Sequence, residues 1–232
     1  MFHFKQFSID DSRCAMKIGT DGVLIGAWTN HDESTKHILD IGTGSGLIAL
    51  MMAQKTTNAI ITGIDIDDDA VIQAKDNVKS SPWNKRIRII QSDFNNPVEL
   101  QNQSFDLIIS NPPFYDDDIH SVNQQRHIAR NSDALPIANL MKNAYRLLTN
   151  NGRLSFIVPA EHTYNVIGEA AINSLFLTRR CDVFTKEKTP AKRAMLEFSK
   201  YVTLAEYSTL IIHESSGNYS QQFIHLTKDF YL

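Results

Sequence analysis

His37-Ile38-Leu39-Asp40-Ile41-Gly42-Thr43-Gly44-Ser45-Gly46 reads as an apolar strand that runs into a glycine-rich turn. Leu47 to Gln54, apolar on most sides, follows as a helix packed on a sheet. Glycines in such a turn let the backbone come close to a ligand. Ala59 to Ile64 is the second strand, and Asp67 caps a helix running to about Lys79. Arg86 to Ile90 is the third strand, ending at Gln91-Ser92-Asp93-Phe94, and Phe105 to Ser110 the fourth. Ahead of this series, Val23 to Trp28 is a short helix with Thr20 or Asp21 as its N-cap. Beyond it comes a helix from about Leu135 to Leu148, ended by Asn150-Asn151-Gly152, and then a fifth strand, Arg153 to Val158. A helix from about Glu161 to Ser174, β-type runs at Phe176 to Thr185 and Arg193 to Thr203, a short strand near Leu210 to His213 and a helical turn at Phe223 to Tyr231 complete the chain. Alternating strands and helices without a repeat or composition break predict one α/β domain over residues 1–232, its mainly parallel sheet closed by late antiparallel strands.

The totals narrow the function. A chain of 232 residues with 42% apolar and 21% charged side chains is globular rather than disordered. A net charge of −3 excludes a generally basic coat for nucleic acid but allows a local basic patch. The two cysteines, Cys14 and Cys181, form no CxxC or zinc pattern, and the eight histidines show no paired metal spacing, so no metal is expected. The longest apolar run, Leu47 to Ala53, is too short for a bilayer, and the N-terminus lacks a signal-peptide core. The expectation is a cytoplasmic monomer, away from membranes.

Asp65 ends the second strand, where a carboxylate can bind both ribose hydroxyls of an adenosine-type cofactor. A structural turn with a helix-capping Asp is the plain alternative. The glycine spacing differs from the dinucleotide pattern G-x-G-x-x-G, so a nicotinamide-dependent oxidoreductase stands as the alternative from another enzyme class. Asp40-x-Gly42-x-Gly44-x-Gly46 resembles the S-adenosylmethionine-dependent methyltransferases of the Rossmann-like class. The resemblance implies a three-layer Rossmann-like fold with a mostly parallel seven-stranded sheet and an antiparallel C-terminal strand. It implies S-adenosyl-L-methionine as cofactor, with Asp40 near its methionine part, Asp93 at its adenine amino group and Phe94 beside the ring.

Asn111-Pro112-Pro113-Phe114, followed by Tyr115, leaves the fourth strand as a rigid extended turn, because two prolines remove two N–H donors and fix φ near −65°. Alone it is a proline turn with a capping Asn. In the resembled superfamily, Asn-Pro-Pro-aromatic marks methylation of a planar nitrogen, either an exocyclic base amine or a glutamine amide. The lone pair of such a nitrogen is delocalised. The Asn111 side-chain oxygen and the Pro112 carbonyl could accept both of its hydrogens and aim it at the sulfonium methyl. Asn111 would also border the cofactor, and Phe114 or Tyr115 would cover the planar substrate.

Basic residues gather in two later places. Arg126, His127 and Arg130 lie in the polar 116–133 stretch, and Arg179, Arg180, Lys186, Lys188, Lys192 and Arg193 in the late strands and their hairpin. Each alone is a solvated face; flanking the proposed pocket they make an RNA phosphate track. The start, Phe4-Lys5-Gln6-Phe7 with Met16-Lys17-Ile18-Gly19-Thr20-Asp21-Gly22-Val23-Leu24-Ile25-Gly26-Ala27-Trp28, and the ending, Lys228-Asp229-Phe230-Tyr231-Leu232, are similar to the bacterial tRNA adenine-N6 methyltransferases that modify valine tRNA beside the anticodon. The similarity covers essentially the full length. It implies that residues 1–36 form a cofactor-covering segment in which Thr20-Asp21 closes over the cofactor. Residues 37–232 would hold the catalytic sheet and, at Thr185 to Arg193, a basic hairpin facing tRNA. A glutamine-amide or guanine-N2 methyltransferase built on the same turn, and a catalytically dead RNA-binding module, are the competing readings.

Overall fold

The computed structural model describes residues 1–112 and 135–231. Its strands are β1 (Phe2–His3), β2 (Ser8–Ile9), β3 (His37–Ile41), β4 (Ile60–Asp65), β5 (Ile87–Gln91), β6 (Phe105–Ser110), β7 (Leu148–Pro159), β8 (Phe176–Lys186), β9 (Ala191–Ser199) and β10 (Glu206–His213). The helices are α1 (Thr20–Trp28), α2 (Leu47–Lys55), α3 (Asp68–Lys79), α4 (Ile137–Leu147), α5 (Thr163–Ile172) and α6 (Gln221–Thr227). β1 and β2 form a small hairpin, and the other eight strands make one sheet in the order β10-β8-β9-β7-β6-β3-β4-β5. Only β9 runs against its neighbours, β7 and β8. The expected mixed α/β class and mostly parallel sheet are therefore present, with eight strands rather than seven. The strand read near Leu210 to His213 is β10, which starts earlier, at Glu206, and adds to the seven that the resemblance implied by pairing in parallel with β8 along the edge.

The central strands explain themselves. β3 and β6 are almost continuous apolar runs because helices cover both of their faces. On one face α1, α2 and α3 pack into a core with Ile38, Ile61 and Leu107. On the other, α4 and α5 bury Leu140, Met141, Ala144, Val166 and Ala170 against Phe105, Phe156 and Phe198. Leu47 to Ala53 of α2 are all buried, as a helix covered by both sheet and α1 must be. α1 approaches closely through Gly22 and Gly26: a Cβ on Gly26 would lie 2.7 Å from the Met51 sulfur, and one on Gly22 3.0 Å from a Leu47 methyl.

Two terminus expectations need correction. α1 starts at Thr20 with Gly19 as N-cap and no side-chain cap, so Thr20 and Asp21 are helical residues rather than caps. α4 runs straight into β7 at an extended Leu148, and Asn150-Asn151-Gly152 lie inside the strand. Gly152 serves an irregularity there: the register to β6 shifts between Phe105 and Leu107, and a Cβ would come within 2.9 Å of the Phe105 carbonyl oxygen. The Asp67 cap forms as read, its side chain accepting from the Asp69 N–H at 2.9 Å.

β3 pairs with β4 on one side and β6 on the other, so the strand order reverses about it. A crevice opens outside the carboxyl ends at such a switch point. Away from this crevice the two chain ends meet, with the Asp229 carbonyl held by the Gln54 amide near the last turn of α2. The Lys5 N–H donates to the Phe230 carbonyl at 2.9 Å, and the Phe4 and Tyr231 rings stack 5.9 Å apart. No helix among the described residues is long and apolar enough to cross a membrane.

Candidate active site

The turn after β3 is built around one carboxylate. Asp40 is buried, and its Oδ2 accepts from the Thr43 hydroxyl at 2.6 Å and from the Ala49 N–H at 3.1 Å. These bonds tie strand, turn and helix together. Burial nonetheless pushes the Asp40 carboxyl up to about 7, those two bonds opposing the rise and the nearby Asp65 adding to it. Asp40 Oδ1 is buried without a hydrogen-bond partner among the described residues. Gly42, Gly44 and Gly46 take φ of +66°, +53° and +85°, the left-handed region that disfavours a side chain. At Gly42 and Gly44 no atom of the described residues lies within 4 Å of where a Cβ would point, whereas Gly46 backs onto Ala74. Gly63 of β4 makes room for the turn: a Cβ there would sit 2.8 Å from the Thr43 hydroxyl oxygen.

Asp65, at the end of β4, accepts from the Gly44 N–H at 2.8 Å and from the Asp67 N–H at 3.0 Å. Burial raises its carboxyl, and these same N–H bonds oppose the rise. Asp93 follows β5, its side chain exposed and accepting from the Asn95 N–H at 2.8 Å. The Phe94 ring is buried, and its carbonyl accepts from the Asn143 amide at 2.8 Å. β6 brings Ser110 level with Ile41, and the Ser110 hydroxyl donates to the Ile41 carbonyl at 3.0 Å. That bond sets Asn111 beside Gly42.

These elements line one cleft of about 310 Å³. Gly42, Gly44, Asp65, Asp93, Phe94, Asn111 and Pro112 all border it. Asp40 lies beneath the turn, and Gly46, Thr20 and Asp21 are outside the lining. Pro113, Phe114, Tyr115, Arg126, His127 and Arg130 fall outside the described residues. Cys14 to Gly19, with Gly22, form a wall of the cleft; they belong to the 1–36 segment expected to cover a cofactor, though no single one of residues 14–19 is singled out by the sequence. The segment leading into it is fastened at Asp10 by Asn77 of α3, whose amide group bridges the Asp10 carbonyl at 2.7 Å and the Ser45 carbonyl at 2.8 Å. Asn77 Oδ1 also accepts from the Asp10 N–H at 3.0 Å. The available signal was Gln73 and Asn77, two polar residues four apart on the buried side of an amphipathic helix.

The basic residues divide. Arg179 pairs with buried Glu197 at 3.3 Å and lies 4.2 Å over the Trp28 ring, and Arg180 pairs with Asp182 at 2.8 Å. Lys188 and Lys192 are exposed on and beside the β8–β9 turn, Lys188 with φ of +60°. Arg193 pairs with Asp21 at 2.8 Å. Among the described residues no group of three or more His, Cys, Asp or Glu could hold a metal ion.

The arrangement has clear relatives. Residues 15–188 match the family model of the methyltransferase small domain. Curated proteins match along the whole chain. The tRNA1(Val) (adenine(37)-N6)-methyltransferase of Trichodesmium erythraeum is 41% identical over 100% of this chain and 97% of its own. The protein of that name from Phocaeicola vulgatus is 44% identical over the same shares. Among solved structures, a predicted O-methyltransferase from Agrobacterium tumefaciens superposes with a TM-score of 0.69 at 18% identity, covering 90% of this chain and 96% of that one. The CcbJ methyltransferase from Streptomyces caelestis superposes with a TM-score of 0.57 at 10% identity, covering 78% and 90%. The structural matches carry the fold, and the full-length matches carry the closer kinship. This chain belongs to the methyltransferase small domain family and, within its reach, to the family of the tRNA1(Val) (adenine(37)-N6)-methyltransferases.

Proposed function

We propose that this chain transfers a methyl group from S-adenosyl-L-methionine to the exocyclic N6 amine of adenine 37 in valine tRNA, the reaction named for its full-length relatives. The observation that carries the reading is the meeting of Asn111 and Pro112 with the glycine turn and Asp65 in one cleft. The residues present suit the cofactor. Open space at Gly42 and Gly44 admits a ligand against the backbone. Asp65 would hold the ribose hydroxyls, with Asp93 and Phe94 at the adenine. Asp40, buried beneath the turn with one oxygen unpartnered among the described residues, would act on the methionine end through its charge and its hold on the turn rather than by direct contact.

Bound there, S-adenosylmethionine supplies an electrophilic methyl on a sulfonium. The chain's own residues position the nucleophile. The Asn111 side-chain oxygen and the Pro112 carbonyl accept the two amine hydrogens, which favours a pyramidal nitrogen and aims its lone pair. Holding a reactant in an attack geometry of this kind supplies a large share of a barrier reduction. No strong base is required beforehand, because the methylated nitrogen loses its extra proton readily. The target adenine is unstacked to reach the cleft, with Phe114 or Tyr115 stacking on it. Lys188 and Lys192 contact backbone phosphates. Their place supports this: the β8–β9 hairpin projects from the sheet end at which β7 finishes, since Arg193 lies opposite Pro159. Arg126 and Arg130 are proposed to extend the same track. Residues 1–232 act as one methyltransferase domain, in the cytoplasm and without a metal. The two unpaired, buried cysteines fit a reducing compartment.

The test is methyl transfer from labelled cofactor to valine tRNA made without modifications, with the product nucleoside identified. N6-methyladenosine at position 37 is expected. Labelling of a glutamine amide or of ribosomal RNA guanine, with none in tRNA, would replace the reading.

A further inference from the structure

We propose that the Asp21–Arg193 ion pair is a latch that holds the first turn of α1 behind Asn111, which makes Arg193 a positioning residue for methyl transfer. The inference rests on the assignment of Asn111 given above. Arg193 Nε donates to Asp21 Oδ2 at 2.8 Å, and Arg193 Nη1 donates to the Lys192 carbonyl at 2.9 Å. The two side chains, each a candidate ligand contact on sequence grounds, face each other.

The position of the pair gives it leverage. The first turn of a helix has N–H groups without intrahelical partners and frays unless something holds it. α1 has no side-chain cap, and Asp21 is the acidic residue of its first turn. The other end of α1 is fastened firmly: the Lys55 ammonium donates to the carbonyls of Gly26 at 3.1 Å, Ala27 at 2.9 Å and Thr29 at 2.5 Å. At the start, the side-chain tie found among the described residues is Arg193, from a strand 172 residues further along. Gly22, next to Asp21, borders the cleft, and a Cβ on it would lie 3.9 Å from the Asn111 amide nitrogen. The turn held by the latch is therefore the surface against which Asn111 is set. Gly19, the N-cap, borders the same cleft.

The pair is partly exposed, with side chains 39% and 35% accessible, so its removal should hardly move global stability. Its effect is local. Displacing a positioning group by a fraction of an ångström is enough to lower the rate while the fold stays intact.

The experiment uses the full chain and four variants: Asp21→Asn, Arg193→Gln, the two together, and Asp21→Glu. For each, kcat and KM with valine tRNA, S-adenosylhomocysteine affinity by calorimetry, and the salt dependence of tRNA binding are measured. Each charge-removing single variant should lower kcat about tenfold. The double variant should be no slower than either single one, since both break one interaction. Asp21→Glu should keep most of the rate, the thermal midpoint should stay put, and the salt slope should match the wild type. Affinity for S-adenosylhomocysteine should weaken several-fold in each charge-removing variant. That readout needs no tRNA, so failure of the latch is separable from failure of the assigned reaction. Additive losses in the double variant, or unchanged cofactor affinity throughout, would overturn the proposal. So would an Arg193→Gln salt slope reduced by about one with Asp21→Asn at full rate, the mark of a direct phosphate contact.

Discussion

Replacing Asp40 by Asn should strengthen the unliganded fold and weaken its grip on the cofactor. Burial holds the Asp40 carboxyl at about 7, against 3.8 for the ordinary group. Between those values the folded chain keeps a proton that the unfolded chain has lost, so stability falls as pH rises through the window. The whole difference is worth at most about 4 kcal/mol once both states are ionised. Asn keeps an oxygen for the Thr43 hydroxyl and the Ala49 N–H, and turns its amide hydrogens toward the side where Oδ1 has no partner. Those hydrogens give back about 1–3 kcal/mol if they stay unpaired. A net gain of about 1–2 kcal/mol at pH 8 is expected, vanishing by pH 5. Cofactor binding should move the other way. A cationic ligand beside Asp40 favours the ionised carboxylate, so wild-type affinity should rise between pH 6 and pH 8 with release of a proton. The variant should bind at least about tenfold more weakly, without that pH dependence. Urea unfolding at several pH values and calorimetry in two buffers of different ionisation enthalpy provide the measurements. Parallel stability curves for the two proteins, or equal cofactor affinity at pH 8, would refute the reasoning.

Gly63→Ala places a methyl group 2.8 Å from the Thr43 oxygen and 2.7 Å from Ile89 Cδ1. It should cost about 1–3 kcal/mol and loosen cofactor binding, because Thr43 is driven off Asp40; thermal unfolding and calorimetry decide, and a variant normal in both would show that the turn can shift freely. Lys188→Ala combined with Lys192→Ala should reduce the slope of log affinity for tRNA against log salt by about 2, with kcat at saturating tRNA preserved. An unchanged slope would remove both lysines from the phosphate track.

Local signals carried most of the fold. The Asp67 cap, the glycine turn and the apolar strands β3 and β6 each depend on a few adjacent residues, and they form close to where the pattern puts them. The start of α1 was misplaced because its apolar run begins only at Val23. What extends the helix to Thr20 is the packing of Gly22 and Gly26 on α2, which no local pattern expresses. Asn150-Asn151-Gly152 reads as a stop until β6 lies alongside and the glycine is needed against Phe105. The cleft divides in the same way. Asp65, Asp93 and Asn111 follow strand ends and are legible from order alone. The segment that leads into the Cys14–Gly19 wall is tied at Asp10 by Asn77, and Asp21 is paired by Arg193, both contacts between distant parts of the chain. The resemblance of the two chain ends to the valine tRNA methyltransferases pointed to the family before any geometry, and the meeting of Phe4 with Tyr231 gives those ends a shared structural task.

Single-turnover methyl transfer to valine tRNA by Asn111→Ala, measured beside S-adenosylhomocysteine affinity, bears most directly on the claim that this side chain positions the target amine. The account predicts a rate lowered by about a hundredfold or more with cofactor affinity nearly intact. A rate close to wild type, or rate and affinity falling together in equal measure, would contradict it.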